Sequence, residues 1–438
     1  MSSSLTWQVM KIREEDTMKK KLILSILIVG LVASSLFATT FFEDEEFFYP
    51  DITFSPISAR TEAMGGAGLA TAAGADAFFL NPANLGSRRF SLNLPSVSVT
   101  IFNPKKIIDT GIPQDLVDGE ELDPASAALD FLTTLNRGKG DVLTTDIATS
   151  FTGGGFGLGL QIQEQLHNYD KGTDTELVAE INVGASVGFG FRLDFIPNTL
   201  SVDIGATVRP TYKAYTEKIG APGLITLFTE EDAGDPAQEV MGEYALAAGY
   251  AIPFDVGVNV NLPVGLRFST VARNLNGKYT MTQYEKVGDW INEMGDTVGF
   301  GSDVYEGDPG TTLDEFEVTV PWSLDVGLGW GPEFGGFGKL LRPSFALDFV
   351  DVVGMFEAME TDENAYWNHL RAGAEVKLFS MVDVRAGINR GALSIGVGLD
   401  LLVIHLDASY YWREKGVEIG DKPVDALTIR FNLGVDGR

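Results

Sequence analysis

From Ile181 to Phe195 every odd position is apolar: Ile181, Val183, Ala185, Val187, Phe189, Phe191, Leu193 and Phe195. The residues between them are Asn182, Gly184, Ser186, Gly188, Gly190, Arg192 and Asp194. A period of two belongs to a β-strand with two unlike faces. Globular strands average about five or six residues, whereas a tilted strand needs about 9–11 to cross a bilayer. The pattern recurs. Leu200, Val202, Ile204, Ala206 and Val208 alternate with polar or small residues, as do Leu427, Ile429, Phe431, Leu433 and Val435. Phe316, Val318, Val320, Trp322, Leu324, Val326, Leu328 and Trp330 read as one further apolar face. Aromatic residues sit near the ends of these faces, and the opposite faces are rich in Gly, Ser, Asn, Asp and Arg. A soluble sandwich also alternates, but long strands with aromatic ends and small or polar inner faces point to a membrane barrel.

Such segments fall near 90–101, 142–151, 155–166, 178–195, 199–215, 255–262, 264–283, 315–330, 341–350, 368–378, 381–389, 392–400, 403–413 and 426–435. This predicts about fourteen strands, an even number as single-chain bacterial barrels require. The connections alternate in length. Those at 152–154, 196–198, 263, 331–340, 379–380 and 401–402 are short, and those at 102–141, 167–177, 216–254, 284–314, 351–367 and 414–425 are long. The Arg390-Gly391 turn falls on the long side yet is short. By the barrel convention the short turns and both termini are periplasmic.

The N-terminal region sets the compartment. Met18 precedes Lys19, Lys20 and Lys21, then an apolar run from Leu22 to Phe37 and Ala38. That is an export signal over 18–38, with cleavage near Ala38; its run is shorter than the ~20 residues of a membrane helix. Residues 1–17 lack the features of such a signal and read as an extension before the true start. An uncleaved N-terminal anchor is the competing reading of the run.

Composition removes several function classes. There are 61 acidic and 32 basic residues, a net charge of −29, which argues against nucleic acid as a partner. With no cysteine, thiolate metal sites and cysteine nucleophiles are excluded. Only His167, His369 and His405 are available to a histidine-based enzyme. His405 shares one strand face with Asp407, a spacing better explained by satisfied lumen polar groups than by a catalytic pair. The chain is therefore read as a non-enzyme with no catalytic residues, no metal site and no cofactor.

The long loops hold much of the acid, including Glu230, Glu231, Asp232, Glu285, Asp289, Glu293, Asp303, Asp308, Asp351, Glu360 and Asp362. Solvated, mutually repelling loops explain this; the other reading is divalent cations such as calcium held by carboxylates at the cell surface, for which no stretch has the ligand spacing of an EF-hand. Ala128, Leu129, Leu132 and Leu135 recur at helical spacing within 124–135, which predicts a loop helix.

Residues 54–86 are rich in small side chains and make a poor lipid-facing strand. Gly66-Ala67-Gly68-Leu69-Ala70 imitates part of a dinucleotide fingerprint but lacks the strand and acidic residue that fingerprint needs. In Ala59-Arg60, Met64-Gly65-Gly66-Ala67-Gly68 and Asn81-Pro82-Ala83-Asn84-Leu85 the sequence resembles the FadL superfamily of outer-membrane long-chain fatty-acid transporters, including its PorV-type relatives. Val271-Ala272-Arg273-Asn274-Leu275-Asn276-Gly277 is similar to a strand end recurrent in those relatives. The resemblance implies an all-β transmembrane antiparallel barrel of fourteen strands over 90–438, some helical loop insertions, and an N-terminal hatch over 39–89. Hatch residues would be Ala59, Arg60, Met64, Gly65, Gly66, Gly68, Asn81, Pro82 and Ala83. Pro82 fixes a bend there and withholds a donor.

The resemblance further implies uptake of hydrophobic molecules: entry on the outer side, a shift of the hatch, and exit through a gap in the wall into the bilayer. Its partners would be outer-membrane lipid, a hydrophobic small-molecule ligand and other envelope proteins. An inner face carrying Asp203, Arg209, Asp325 and Arg430 suits an aqueous path rather than an acyl chain. A greasy site is therefore expected in the loops, at Leu129, Phe131, Leu132 and Leu135 or at Leu224, Ile225, Leu227 and Phe228. Two alternatives share the fold: a non-transporting subunit of a secretion or surface-attachment system, and a passive porin or adhesin.

Overall fold

The computed structural model describes residues 58–74, 76–109, 140–169, 176–197, 199–220, 236–299, 304–332, 340–414 and 423–436. The export signal, the residues before it, the 124–135 helix and the loop residues Leu129, Phe131, Leu132, Leu135, Leu224, Ile225, Leu227 and Phe228 lie outside them.

Fourteen strands form one closed antiparallel barrel. They are β1 Ser91–Phe102, β2 Gly140–Gly153, β3 Phe156–Tyr169 and β4 Glu176–Ile196. β5 consists of Leu200–Val208, Thr211–Thr216 and Ile219–Gly220, and β6 of Leu246–Ala251 and Phe254–Asn261. β7 consists of Leu266–Leu275 and Lys278–Tyr284, and β8 of Thr312–Thr319 and Ser323–Trp330. Then come β9 Leu341–Phe349, β10 Leu370–Leu378, β11 Val382–Asn389, β12 Ala392–Leu401, β13 Ile404–Glu414 and β14 Pro423–Asp436. Each strand pairs with the next, and β14 returns to β1, so no edge is left open. Closure satisfies the backbone without water, which is what lets strands cross lipid.

The two faces are those the alternation predicts. On β4, Phe189 is 61% exposed on the outside while Asn182 on the inside is 0% exposed. The outer face of the barrel carries Leu160, Ile162, Val183, Val187, Phe191, Ile395, Val397 and Ile429 at the surface, an apolar coat suited to lipid.

The wall is uneven in height. β9 to β12 have only eight to ten residues each, whereas β4 has 21. A crease crosses the tall side, where β5 to β8 all break at one level. Pro210, Pro253 and Pro321 sit in three of the breaks, and Asn274 and Asn276 hold positive φ at the fourth. Proline cannot donate to a ladder, so each break is terminated locally. Substitute bonds bridge the crease: Arg209 N–H donates to Pro253 O at 2.8 Å and Val320 N–H to Gly277 O at 2.7 Å. Below the crease Phe254–Asn261 has eight residues, about 20 Å of height at ~3.3 Å per residue and ~40° tilt. That is close to the ~25 Å apolar band of an outer-membrane barrel.

Above the crease both sides of the wall are covered. Outside, helices Pro236–Glu243 and Val287–Val298 bring Met241, Val287 and Trp290 onto Ala214, Leu246, Ala248 and Tyr284. The Trp290 indole donates to Tyr212 Oη at 2.8 Å. Inside, Val178, Tyr215, Ala247, Ala251, Tyr279, Met281 and Val320 pack together with Phe316 and Val318.

Two sequence readings change here. Phe316 to Trp330 is not one face: Phe316, Val318 and Val320 point into the lumen, whereas Trp322 is 54% exposed on the outside and Asp325 points inward. Three residues separate the two halves of β8, against two in each of β5, β6 and β7. An odd insertion exchanges the faces of a strand. Residues 246–251, read as loop, form the upper part of β6. With apolar contacts on both faces they show no alternation to detect.

Candidate functional site

Residues 58–88 cross the lumen. Their first helix, Ala59–Ala63, lies against β11 to β14, and the 3-10 turn Pro82–Ser87 lies against β4, β5 and β6 on the opposite wall. Small side chains permit this. Ala59, Ala63 and Ala83 are fully buried, and Gly65 and Gly66 take positive φ (67° and 77°) that let the chain turn beside β11. The wall reciprocates with glycine. A Cβ on Gly205 of β5 would lie 2.2 Å from Pro82 O, and one on Gly257 of β6 would lie 2.0 Å from Asn81 Oδ1.

Charged contacts fix the first half of the segment. Arg60 makes a two-pronged bond to Glu375 of β10, with Nε at 2.8 Å and Nη2 at 3.2 Å. Burial opposes the Arg60 charge, but Glu375, then Asp76 and Asp383, outweigh it and hold its pKa above the usual arginine value. Glu62 accepts from Arg413 of β13 at 2.7 Å. Asp348 of β9 accepts from the backbone of Gly68 at 2.6 Å and of Leu69 at 3.0 Å.

The second half is held by amides. Asn81 accepts from Ala83 N at 2.9 Å, which caps the 3-10 turn, and donates to Leu69 O at 3.2 Å and to Asn259 Oδ1 of β6 at 2.8 Å. Asn259 donates in turn to Asn84 at 2.9 Å. Arg267 of β7 donates to Ala70 O at 2.7 Å. Arg273, six residues further along β7, donates to Phe79 O at 3.0 Å and to Leu80 O.

The four inward polar residues of the sequence analysis all face the lumen, and each is engaged. Asp203 accepts both prongs of Arg192 at 2.7 and 3.0 Å and a bond from Asn261 at 2.9 Å. Arg209 donates to Asp255 at 3.0 Å and to Asn274 at 2.9 Å. Asp325 accepts from Arg273 and from the Asp351 backbone. Arg430 donates to Ser96 at 2.7 Å and Ser58 at 2.9 Å and lies 3.6 Å from Asp76. His405 pairs with Asp400 at 2.7 Å rather than with Asp407, which accepts from Arg385. Asn259, Arg267, Arg273, Asp348 and Glu375 carry the segment and were not singled out as site residues in the sequence. An inward ion pair and an inward ion pair with a plug read identically along one strand.

Two further features bear on what this arrangement can do. The β1 ladder skips Leu94 and Pro95 with both neighbours, β2 and β14. Behind that bulge lies a cavity lined by Asn93, Ser96, Ser150, Arg430, Asp76 and Phe79. And the lumen changes character along its axis. Toward the long loops two apolar groups face inward, one around Tyr279 and Met281 on β4 to β8 and one of Phe102, Tyr411, Val424 and Ala426 on β1, β13 and β14, the first beside a buried ion pair of Lys213 with Glu180 at 2.8 Å. Apolar inward groups thus occur on the strands themselves, while the loop residues named for a greasy site lie outside the described residues.

No protein-family model matches the chain, and no curated protein matches it. Among solved structures it is similar to the toluene transporter TodX of Pseudomonas putida, with a TM-score of 0.41, 12% identity, and coverage of 88% of this chain and 98% of that one. A TodX mutant described as a monoaromatic hydrocarbon channel gives a TM-score of 0.42 at 12% identity, covering 88% and 99%. A FadL homologue from Pseudomonas aeruginosa gives 0.40 at 11% identity, covering 87% and 98%. These likenesses are remote, and the fold rests on the strand pairing above.

Proposed function

We propose that the chain is an outer-membrane channel for hydrophobic small molecules, of the long-chain fatty-acid type, closed at rest by residues 58–88. The export signal delivers it, cleavage near Ala38 leaves the mature protein, and its termini lie in the periplasm. The observation that carries this reading is the pair of apolar groups facing the lumen beneath the long loops, above a segment held by ionic and amide bonds. An apolar solute gains on leaving water for the upper lumen. It cannot continue along the axis, where the segment and its buried ion pairs block the way. The small, polar-lined cavity behind the Leu94–Pro95 bulge marks where a side exit into lipid would have to widen as the segment gives way locally. No bond is made or broken; the solute's gradient drives the passage.

The test is uptake by proteoliposomes of a long-chain fatty acid and of a smaller aromatic hydrocarbon. Uptake well above that of protein-free vesicles is expected, together with apolar molecules in mass spectra of the detergent-extracted protein. Uptake equal to that of empty vesicles for both solutes overturns the reading.

A further inference from the structure

Arg273 joins three parts of the molecule that the fold otherwise keeps separate. Its side chain, at the upper end of the first half of β7, bonds the carboxylate of Asp325 on β8. The same guanidinium donates to the carbonyls of Phe79 and Leu80, the last residues of the short helix Asp76–Leu80. Cationic donors are favoured at that helix end. The other oxygen of Asp325 accepts from the backbone N–H of Asp351 at 2.9 Å. Asp351 holds φ at 50° and caps the helix Val352–Met359 in the long connection between β9 and β10, its side chain accepting from Gly354 N at 3.2 Å. That helix presents Phe356 61% exposed, with Trp367 also exposed in the same connection. At the far end, Phe79 lines the cavity behind the β1 bulge.

We propose that Arg273 and Asp325 are positioning residues that relay the placement of the outer helix Val352–Met359 to the helix Asp76–Leu80, and so to the Phe79 ring in the cavity. The relay rests on the channel reading above and supplies its link from the outer loops to the inner closure. When the outer helix is displaced, the Asp351 N–H leaves Asp325, the carboxylate turns, and Arg273 loses its nearest anionic partner and swings toward Asp255, 3.9 Å away, off Phe79 and Leu80. The helix Asp76–Leu80 then remains tied at its start, where Asp76 faces Arg430, and is released at its end. Pivoting about that start withdraws Phe79 from behind the bulge. Swinging that end also draws the adjoining Asn81 away from Leu69 and Asn259, whereas the bonds of Arg60, Glu62 and Asp348 to the segment need not break.

The chain has no cysteine, so a single Ala77→Cys, at a site 5% exposed, reports release by its rate of reaction with a maleimide. Replacement of residues 352–359 by a flexible linker is expected to raise that rate about tenfold, and Asp325→Asn to raise it comparably. Combining the two should give no further increase, since both cut the same chain. Arg273→Lys keeps the charge but cannot serve Asp325 and two carbonyls at once, and should resemble Asp325→Asn. Heat-modifiable migration on gels selects variants whose barrel is intact. Multiplying rates in the combined variant, or an unchanged rate after helix replacement, overturns the relay. No substrate enters the assay, so a failed relay with intact uptake, or the reverse, separates the two readings.

Discussion

Alanine at Gly205 and Gly257 should unseat the lumen-crossing segment while leaving the barrel whole. An added Cβ would stand 2.2 Å from Pro82 O and 2.0 Å from Asn81 Oδ1, where ordinary contact begins at 3.4 Å. The Asn81–Asn84 stretch must therefore retreat by about 1.2–1.4 Å, because the β-ladder on the other side cannot. A retreat of that size takes the bonds of Asn259 with Asn81 and Asn84, now 2.8 and 2.9 Å, beyond hydrogen-bonding reach. Each buried amide left unpaired costs about 1–3 kcal/mol. Two of them amount to about 2–6 kcal/mol, which favours the released form by a factor of about 30 to 10⁴. The measurements are planar-bilayer conductance and the reactivity of a thiol at Ala83→Cys, a residue fully buried in the wild type. Gly331→Ala, with nothing within 4 Å of its Cβ, is the control. An intact double variant with wild-type conductance and a protected thiol would refute the argument that wall glycines seat the segment.

Other perturbations reach other parts. Asp348→Ala strands the Gly68 and Leu69 N–H groups and should loosen that stretch by about 2–6 kcal/mol, with Asp348→Asn milder, read by hydrogen exchange of the two amides. Leu160→Lys puts a charge on the lipid face and should cost up to about 2–4 kcal/mol of stability in vesicles, measured by equilibrium refolding. Deleting residues 58–88 should raise conductance without loss of heat-modifiable migration, because barrel closure runs through β1 and β14 and not through the segment. Trp290→Ala should cost the outer layer about 3–5 kcal/mol and expose it to protease, while the membrane-level strands stay protected.

Fourteen strands were legible because lipid outside and a polar lumen inside force each strand to alternate. Legibility fails where that contrast fails. Leu246 to Ala251 have apolar neighbours on both sides, Leu246 and Ala248 under the outer helices and Ala247 and Ala251 in the lumen, so nothing alternates. Phe316 to Trp330 alternates throughout, yet its faces change sides at Pro321; an odd break preserves the letter pattern and reverses its meaning. The small residues of 59–68 and the Asn81-Pro82 pair marked the segment, but not its partners. Asn259 and Asp348 are ordinary inward polar residues until the segment is seen against them. Gly205 and Gly257, spaced along inner faces, were the trace of its passage.

A segment fastened to β11–β14 at one end and to β4–β6 at the other is a tie-rod across the cylinder. Such a strut resists flattening of the circular cross-section, so lateral squeeze from surrounding acyl chains loads its end fastenings, among them Arg60 with Glu375 and Asn81 with Asn259. Under the proposed gating, bilayer composition would thus tune the force needed for opening, with the segment itself acting as the gauge.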